Sequence, residues 1–215
     1  MRKYELTDET KTYFGRTLHR IKAIVDFGCI NAGEIGGWIE KEENLSHYGN
    51  AWVYGNAQVY GDARVSGNAQ VSVDARVSVD AQVSGNAQVY GNARVSGNAW
   101  VSGNAKVYDD AQVYDNAQVY GNARVSGDAQ VAAKECIFWI GAIGSRNGTT
   151  TFFNCKDGKI RVSCGCFYGD LDEFLEAVNK THGDNEYGQV YRIAIEMAKK
   201  RIHTVCHEVK RNDQD

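Results

Sequence analysis

This sequence predicts a mainly β chain, a left-handed parallel β-helix followed by a small ββαα module, on three observations. Valine stands at every sixth position from Val53 to Val131. Alanine stands two residues before each valine of that series, from Ala51 to Ala129, and Gly-Asn or Gly-Asp opens ten of the fourteen units. The unit reads Gly-Asn/Asp-Ala-x-Val-Tyr/Ser and recurs fourteen times over residues 49–132. Self-similarity at a fixed period marks a repeat architecture.

A period of six excludes a helix, whose apolar stripe follows 3.6 residues. It fits a short extended segment followed by a corner. In Ala-x-Val-x, alternation sends alanine and valine to one face and the two x residues to the other. Glycine with Asn or Asp turns the corner, because these residues enter the left-handed backbone region at least cost. Three sides close a triangle of eighteen residues, so the hexads give between four and five coils, a rod of roughly 22 Å at the spacing of paired strands. Small alanine beside branched valine fills a narrow prism without voids. A disordered Gly/Asn tract would impose no such phase.

The ends differ. In residues 1–48, Ile21, Ala23, Val25 and Phe27 alternate, which predicts a strand laid over the open edge of the first coil. Leu45 to Val53 spans eight residues rather than six, an irregular first turn. After Val131 the repeat decays, but Ile137 and Ile143 keep its phase, so the β-helix is expected to run over 49–145 with one imperfect last coil. The module then occupies 146–215. Strands are expected at Thr149–Asn154 and Ile160–Phe167, joined through a two-residue Asp157-Gly158 turn. Asp170 to Glu173 resembles a capping box opening a helix that ends near Gly183. A second helix is expected from Glu186 to Val205, with Val190, Ile193, Met197, Ala198 and Ile202 on its apolar side.

The repeat resembles the hexapeptide-repeat superfamily, in which an aliphatic residue is followed four positions on by a small one, as Val53 is by Ala57. Residues 33–46, GEIGGWIEKEENLS, leading into GNAWV at 49–53, are similar to the opening of enterobacterial and phage or prophage proteins often labelled as transferases. The resemblance covers about residues 1–132. It implies the left-handed β-helix, a tendency to trimerise, and an acyltransferase alternative using an acyl-CoA-type donor. The segments Ser163–Phe167 and Thr181–Asp184 resemble a recurring C-terminal module of phage hexapeptide proteins, a resemblance that carries no activity with it.

Charge narrows the function. The net charge is −3, and the repeat holds five basic residues against seven aspartates, so no footprint for nucleic acid or an anionic membrane is expected. No apolar run reaches the length of a membrane-spanning helix, and the start MRKYELTDETK lacks a signal-peptide core. Six cysteines, none in the repeat, do not form a secreted disulfide pattern. The expected location is the cytoplasm, that of the host if the gene is a phage's.

Three groups of residues could carry chemistry. Acyltransferases of the resembled superfamily place a histidine as general base between neighbouring rods. Residues 49–132 contain no histidine, which leaves His47, at the irregular turn, as the weak catalytic candidate. The outward x and Tyr/Ser positions stack every eighteen residues, and Trp52, Tyr54, Tyr90, Trp100, Tyr108, Tyr114 and Tyr120 form the expected binding surface, tyrosine and tryptophan being common interface anchors. Cys155, Cys164 and Cys166, with His182 or the cluster His203, Cys206 and His207, are a weaker zinc candidate. The assumed hairpin register puts Cys155 and Cys164 about 13 Å apart on one face with Phe153, Ile160 and Val162. That arrangement favours buried apolar cysteines over a metal site. The expectation is a non-catalytic, oligomeric binding or scaffold protein of phage or prophage origin, trimeric, with no cofactor or metal, whose partner is a host protein or a small ligand.

Overall fold

A computed structural model describes residues 2–202 of the chain, which divides into two compact units, Met1–Asp128 and Ala129–Asp215. In the first unit thirteen of the fourteen hexads form a parallel β-solenoid of two-residue strands. One sheet stacks β4 (Trp52–Val53), β7 (Gln70–Val71), β10 (Gln88–Val89), β13 (Lys106–Val107) and β16 (Arg124–Val125). The second stacks β5 (Gln58–Val59), β8 (Arg76–Val77), β11 (Arg94–Val95) and β14 (Gln112–Val113). The third stacks β6 (Arg64–Val65), β9 (Gln82–Val83), β12 (Trp100–Val101) and β15 (Gln118–Val119). The register is eighteen residues throughout, as in Gln88 opposite Lys106 and Val89 opposite Val107. These are the three sides that the sequence predicts.

Every valine of the six-residue series from Val53 to Val131, and the alanine two residues before each, is sealed from solvent. Each coil donates backbone N–H groups to the next: Gln88 N to Ala105 O at 2.9 Å, Tyr90 N to Val107 O at 3.0 Å. At one corner an amide ladder reinforces the stack, with Asn68, Asn86 and Asn104 each donating to the amide eighteen residues on at 3.0, 3.1 and 3.0 Å. Corner glycine is required twice over. Gly85 has φ 67°, and a Cβ there would stand 2.9 Å from the Gly103 nitrogen of the corner above.

Four corners depart from the glycine rule: Val73, Val79, Asp109 and Asp115, all with φ between 53° and 65°. Aspartate tolerates this region, but a β-branched valine does not, and costs about 1–2 kcal/mol there. Both valines are about half exposed.

The N-terminal 48 residues build a lid from more strands than their sequence announces. β1 (Tyr4–Tyr13) and β2 (Arg16–Ala23) form an antiparallel hairpin across a Phe14-Gly15 turn in which both residues have positive φ. β2 then pairs antiparallel with β3 (Ile35–Ile39), which pairs parallel with β5. The alternation through Val25 and Phe27 therefore stops early: the strand ends at Ala23.

The lid has a chemical logic. In each later coil, carbonyls at the alanine and glycine positions accept from the coil before, as Ala69 O does from Trp52 N and Gly67 O from Ala51 N. The first coil has nothing before it over part of its edge, and side chains supply the donors instead. Lys3 Nζ reaches Gly49 O and Ala51 O at 3.2 and 2.8 Å. The Tyr4 hydroxyl reaches Glu42 O and Leu45 O, and Arg20 reaches Gly55 O. Asn44, fully buried, donates to Gly61 O and Ala63 O while its oxygen accepts from Glu40 N and Lys41 N. Unsatisfied buried carbonyls are costly, so the cap is built of donors.

The second unit opens with β17 (Gln130–Val131) and continues into a sheet, antiparallel throughout, of β18 (Ile137–Ile143), β19 (Gly148–Asn154), β20 (Ile160–Cys164) and β21 (Phe167–Asp170) in that order. β18 is Ile137–Ile143, so these residues are not a last imperfect coil; they pair with β19 (Gly148–Asn154). β20 is Ile160–Cys164 and β21 is Phe167–Asp170, two separate strands where one was expected. The hairpin register also corrects the expectation. Asn154 pairs with Ile160 and Thr150 with Cys164, because the loop holds three residues, Lys156 to Gly158. A one-residue shift reverses the faces of a strand. Phe153 and Cys155 consequently alternate onto the face opposite Phe152, Val162 and Cys164.

Helix α1 (Leu171–His182) starts on the expected capping box of Asp170 and Glu173 and stops at Gly183, φ 54°. Helix α2 (Glu186–Arg201) is capped by the Asn185 side chain. Its buried side is Tyr191, Ala194, Ile195 and Ala198, followed by Ile202. Of the expected stripe, Ala198 and Ile202 are buried, whereas Val190, Ile193 and Met197 are exposed and Tyr191, Ala194 and Ile195 take their place. The core joins Phe152 and Val162 of the sheet to Phe174, Val178 and Tyr191 of the helices. His203, Cys206 and His207 lie outside the described residues. No helix among the described residues is long and apolar enough to cross a membrane.

Candidate functional site

A solenoid whose interior is filled by alanine and valine can act only through its outer rows. The tyrosines of the first sheet do stack: Tyr90 and Tyr108 have ring centroids 5.0 Å apart and planes within 4°. On the second sheet, Tyr60 meets the ring of Tyr13 edge-on at 5.6 Å, and the Arg76 guanidinium lies over Tyr13. Tyr54 and Tyr114 are half-buried, and that burial pushes both hydroxyls above the ordinary tyrosine range. The third sheet displays most: Trp100 is 48% exposed and Tyr120 50%. Trp100 is oriented by its indole N–H, which donates to Ser84 Oγ at 3.3 Å.

Trp52 is the exception among the expected surface residues. It is fully buried, edge-on to Tyr4 at 6.2 Å and to Phe27 at 5.4 Å. The repeat pattern puts it outward, but the N-terminal lid covers that position, a long-range contact that local alternation cannot show.

His47 is held rather than poised. Its ring stacks on Tyr4 at 4.3 Å, and Nδ1 accepts the Lys3 backbone N–H at 3.3 Å. The other nitrogen lies 3.9 Å from a Glu42 carboxylate oxygen. Burial lowers its pKa below the usual imidazole range, against the opposing pull of Glu42. Both ring nitrogens thus face the chain's own groups. A separate cleft of about 270 Å³ is lined by Arg16, Lys41, Tyr60, Asp62 and Val79 among others, but its cations are engaged, Lys41 with Asp62 at 2.6 Å and Arg16 with Glu40 at 3.0 Å.

In the second unit, Cys164 and His182 line a common cleft, whereas Cys166 is exposed on the turn after β20. Among the described residues no three His, Cys, Asp or Glu side chains converge as a metal site would require. Sequence reasoning missed Tyr191, which stands between Cys164 and His182 in that cleft. Its signal was its place on α2, obscured by the misjudged stripe.

Comparison with known proteins agrees with the solenoid. Residues 57–73, 87–103 and 117–132 match a family model described as the YdcK β-solenoid repeat. The chain is similar to a protein of Escherichia coli strain K12 named uncharacterized acetyltransferase YdcK, 38% identical over 61 residues, which cover 25% of this chain and 19% of that protein. Most of that relative's length lies outside the match. These findings bear out the resemblance to hexapeptide-repeat proteins labelled as transferases.

Proposed function

Taking the chain as a hexapeptide-repeat-like β-solenoid protein, we propose that it is a non-catalytic, oligomeric binding protein whose outer rows are its working surface. The observation that carries this reading is the third sheet, where Trp100 and Tyr120 stand about half exposed on a rigid ladder. Large aromatic rings held in fixed positions lose little entropy on association, which is what interface anchors need. Resemblance to trimerising rods favours a second copy as the first partner, leaving the remaining rows for a host protein or small ligand. Light scattering on the purified chain tests this: a mass three times that of the chain is expected, reduced by Trp100→Glu. A strictly monomeric wild type at micromolar concentration would sink the oligomer.

One observation favours a second reading, acyl transfer: the similarity to a protein named as an acetyltransferase. Fold does not imply function, and the match covers a small part of that protein. Calorimetry with acetyl-CoA separates the readings. Saturable binding, with turnover lost in His47→Ala, would support acyl transfer; no heat at millimolar ligand would leave the binding role.

A further inference from the structure

The two C-terminal motifs that no activity explains, Ser163–Phe167 and Thr181–Asp184, meet in one place. Cys164 ends β20, Phe167 begins β21, and Thr181 and His182 end α1. All four line a cleft of about 190 Å³ in the second unit. Phe174, Ala177 and Val178 complete an apolar floor, and Tyr191 of α2 closes one side. Tyr191 joins the parts: its ring is edge-on to Phe174 at 5.5 Å and tilted against His182 at 5.7 Å. The Cys164 thiol donates to the Tyr191 hydroxyl oxygen at 3.7 Å, and the same sulfur accepts from the Thr150 hydroxyl at 3.1 Å.

The polar groups around this floor are donors. Thr181, His182 and Tyr191 can each present a hydrogen, the Cys164 thiol is turned toward the Tyr191 oxygen, and no carboxylate is among the described lining residues. Burial pushes the Tyr191 hydroxyl up to about 12, so it stays a donor at any physiological pH. Thr181 and His182 have no side-chain hydrogen-bond partner among the described residues. A positive charge is also within reach. The Tyr191 hydroxyl occupies the space where a Cβ on Gly144 would stand, so only glycine lets the 144–147 turn lie against it. Arg146 sits on that turn, and its charge favours the ionised Tyr191 hydroxyl, against the larger opposing effect of burial.

An apolar floor with a few convergent donors and a cation at one side is the pattern of a small-molecule site. Sites for drug-sized ligands run to about 300–1,000 Å³, so this smaller cleft suits one ring or a short chain. We propose that the cleft binds a small carboxylate with an apolar body, a single aromatic ring or a short aliphatic chain. The body lies on Phe167, Phe174 and Val178, and the carboxylate faces Thr181, His182 and Tyr191, with Arg146 on the turn beside Tyr191 as the nearest candidate cation. This stands independently of the solenoid surface, because every residue belongs to the second unit.

Benzoate and hexanoate are suitable probes, with benzyl alcohol as the neutral counterpart, observed by saturation-transfer NMR on the full chain. Saturable transfer from both acids is expected at about ten millimolar, with benzyl alcohol weaker by about tenfold. Ala177→Trp should fill the cleft and abolish the signal. Should that variant fail to fold, Thr181→Val and Arg146→Ala should each weaken benzoate several-fold and leave benzyl alcohol unchanged. No transfer from either acid, equal transfer in a folded Ala177→Trp, or benzyl alcohol binding as well as benzoate would each overturn the proposal.

Discussion

The two units solve the same problem, closing a hydrophobic interior, by opposite means. The solenoid repeats one solution: alanine and valine stacked on alanine and valine, with every coil bonded to its neighbours. The second unit packs unlike groups once, Phe152, Val162, Phe174, Val178 and Tyr191 from a sheet and two helices. Identical small side chains tile a prism and leave nothing inside for a ligand. Unlike large ones meet imperfectly, and the cleft beside Phe174 and Tyr191 is the result. The lesson is where to look for function: on the outside of the first unit and within the second.

The sharpest way to break this contrast is a charge in the solenoid interior. Val89→Asp should cost several kcal/mol, since an unpaired carboxylate there has neither room nor partner. Coils depend on their neighbours, so the loss should spread beyond β10. Circular dichroism and thermal melting would show it, and a wild-type melt would invalidate the inside-outside assignment. In the second unit, Phe174→Ala should cost about 3–5 kcal/mol, the range for a large aromatic core residue. Amide exchange should accelerate in α1 and α2; unchanged exchange there would mean that the cleft wall is not part of the core.

Smaller effects sharpen the comparison. Val79→Gly should stabilise the solenoid by about 1 kcal/mol, because it relieves a β-branched residue at φ 62° while giving back some chain entropy. A destabilised variant would show that the valine makes contacts worth more than its strain. The cap should respond to pH. Burial lowers Lys3 to about 8 and also lowers His47. In both cases the unfolded chain holds more protons than the folded one, so stability rises with pH. The Lys3 contribution increases between about 8 and 10.4, and His47 weakens the fold as pH drops below about 6.5. Melts across those ranges should show the trend, and Lys3→Met should remove its alkaline part. Smallest of all, Gln88→Asp, one residue from the first variant but facing outward, should change stability by about 0.5 kcal/mol or less.

Legibility in the sequence followed the same divide. In the solenoid, each side chain's environment is set by neighbours eighteen residues away with the same identity, so the three sheets, their register and the sealed interior were readable from Val53 to Val125. Reading failed where contacts are long-range or local rules are broken. Trp52 reads as surface because nothing in its own hexad announces Tyr4 or Phe27 above it. Corner valines look like irregularities until their φ values are known. In the second unit, one loop residue reversed the faces of Phe153 and Cys155, and the apolar residues of α2 admit two stripes, of which tertiary packing chose the one through Tyr191. The cleft was visible only as two separate motifs, since the residue linking Cys164 to His182 carries no distinctive local signal.

The burial of Trp52 has a consequence for how the chain counts. Hexads are nearly interchangeable, so a slip of eighteen residues would preserve every alanine, every valine and almost every corner. A lid made only of donors to backbone carbonyls would fit any coil equally well. Trp52 removes that degeneracy. Its ring fills the space beneath Tyr4 and Phe27 and stands 2.6 Å from where a Cβ on Gly36 would be, whereas the next coil offers Gln70 at the same place. A lid seated one coil late would trap an amide where an indole belongs. Trp52 therefore serves as the zero mark on a ruler whose other divisions are alike, and it fixes which coil is the first.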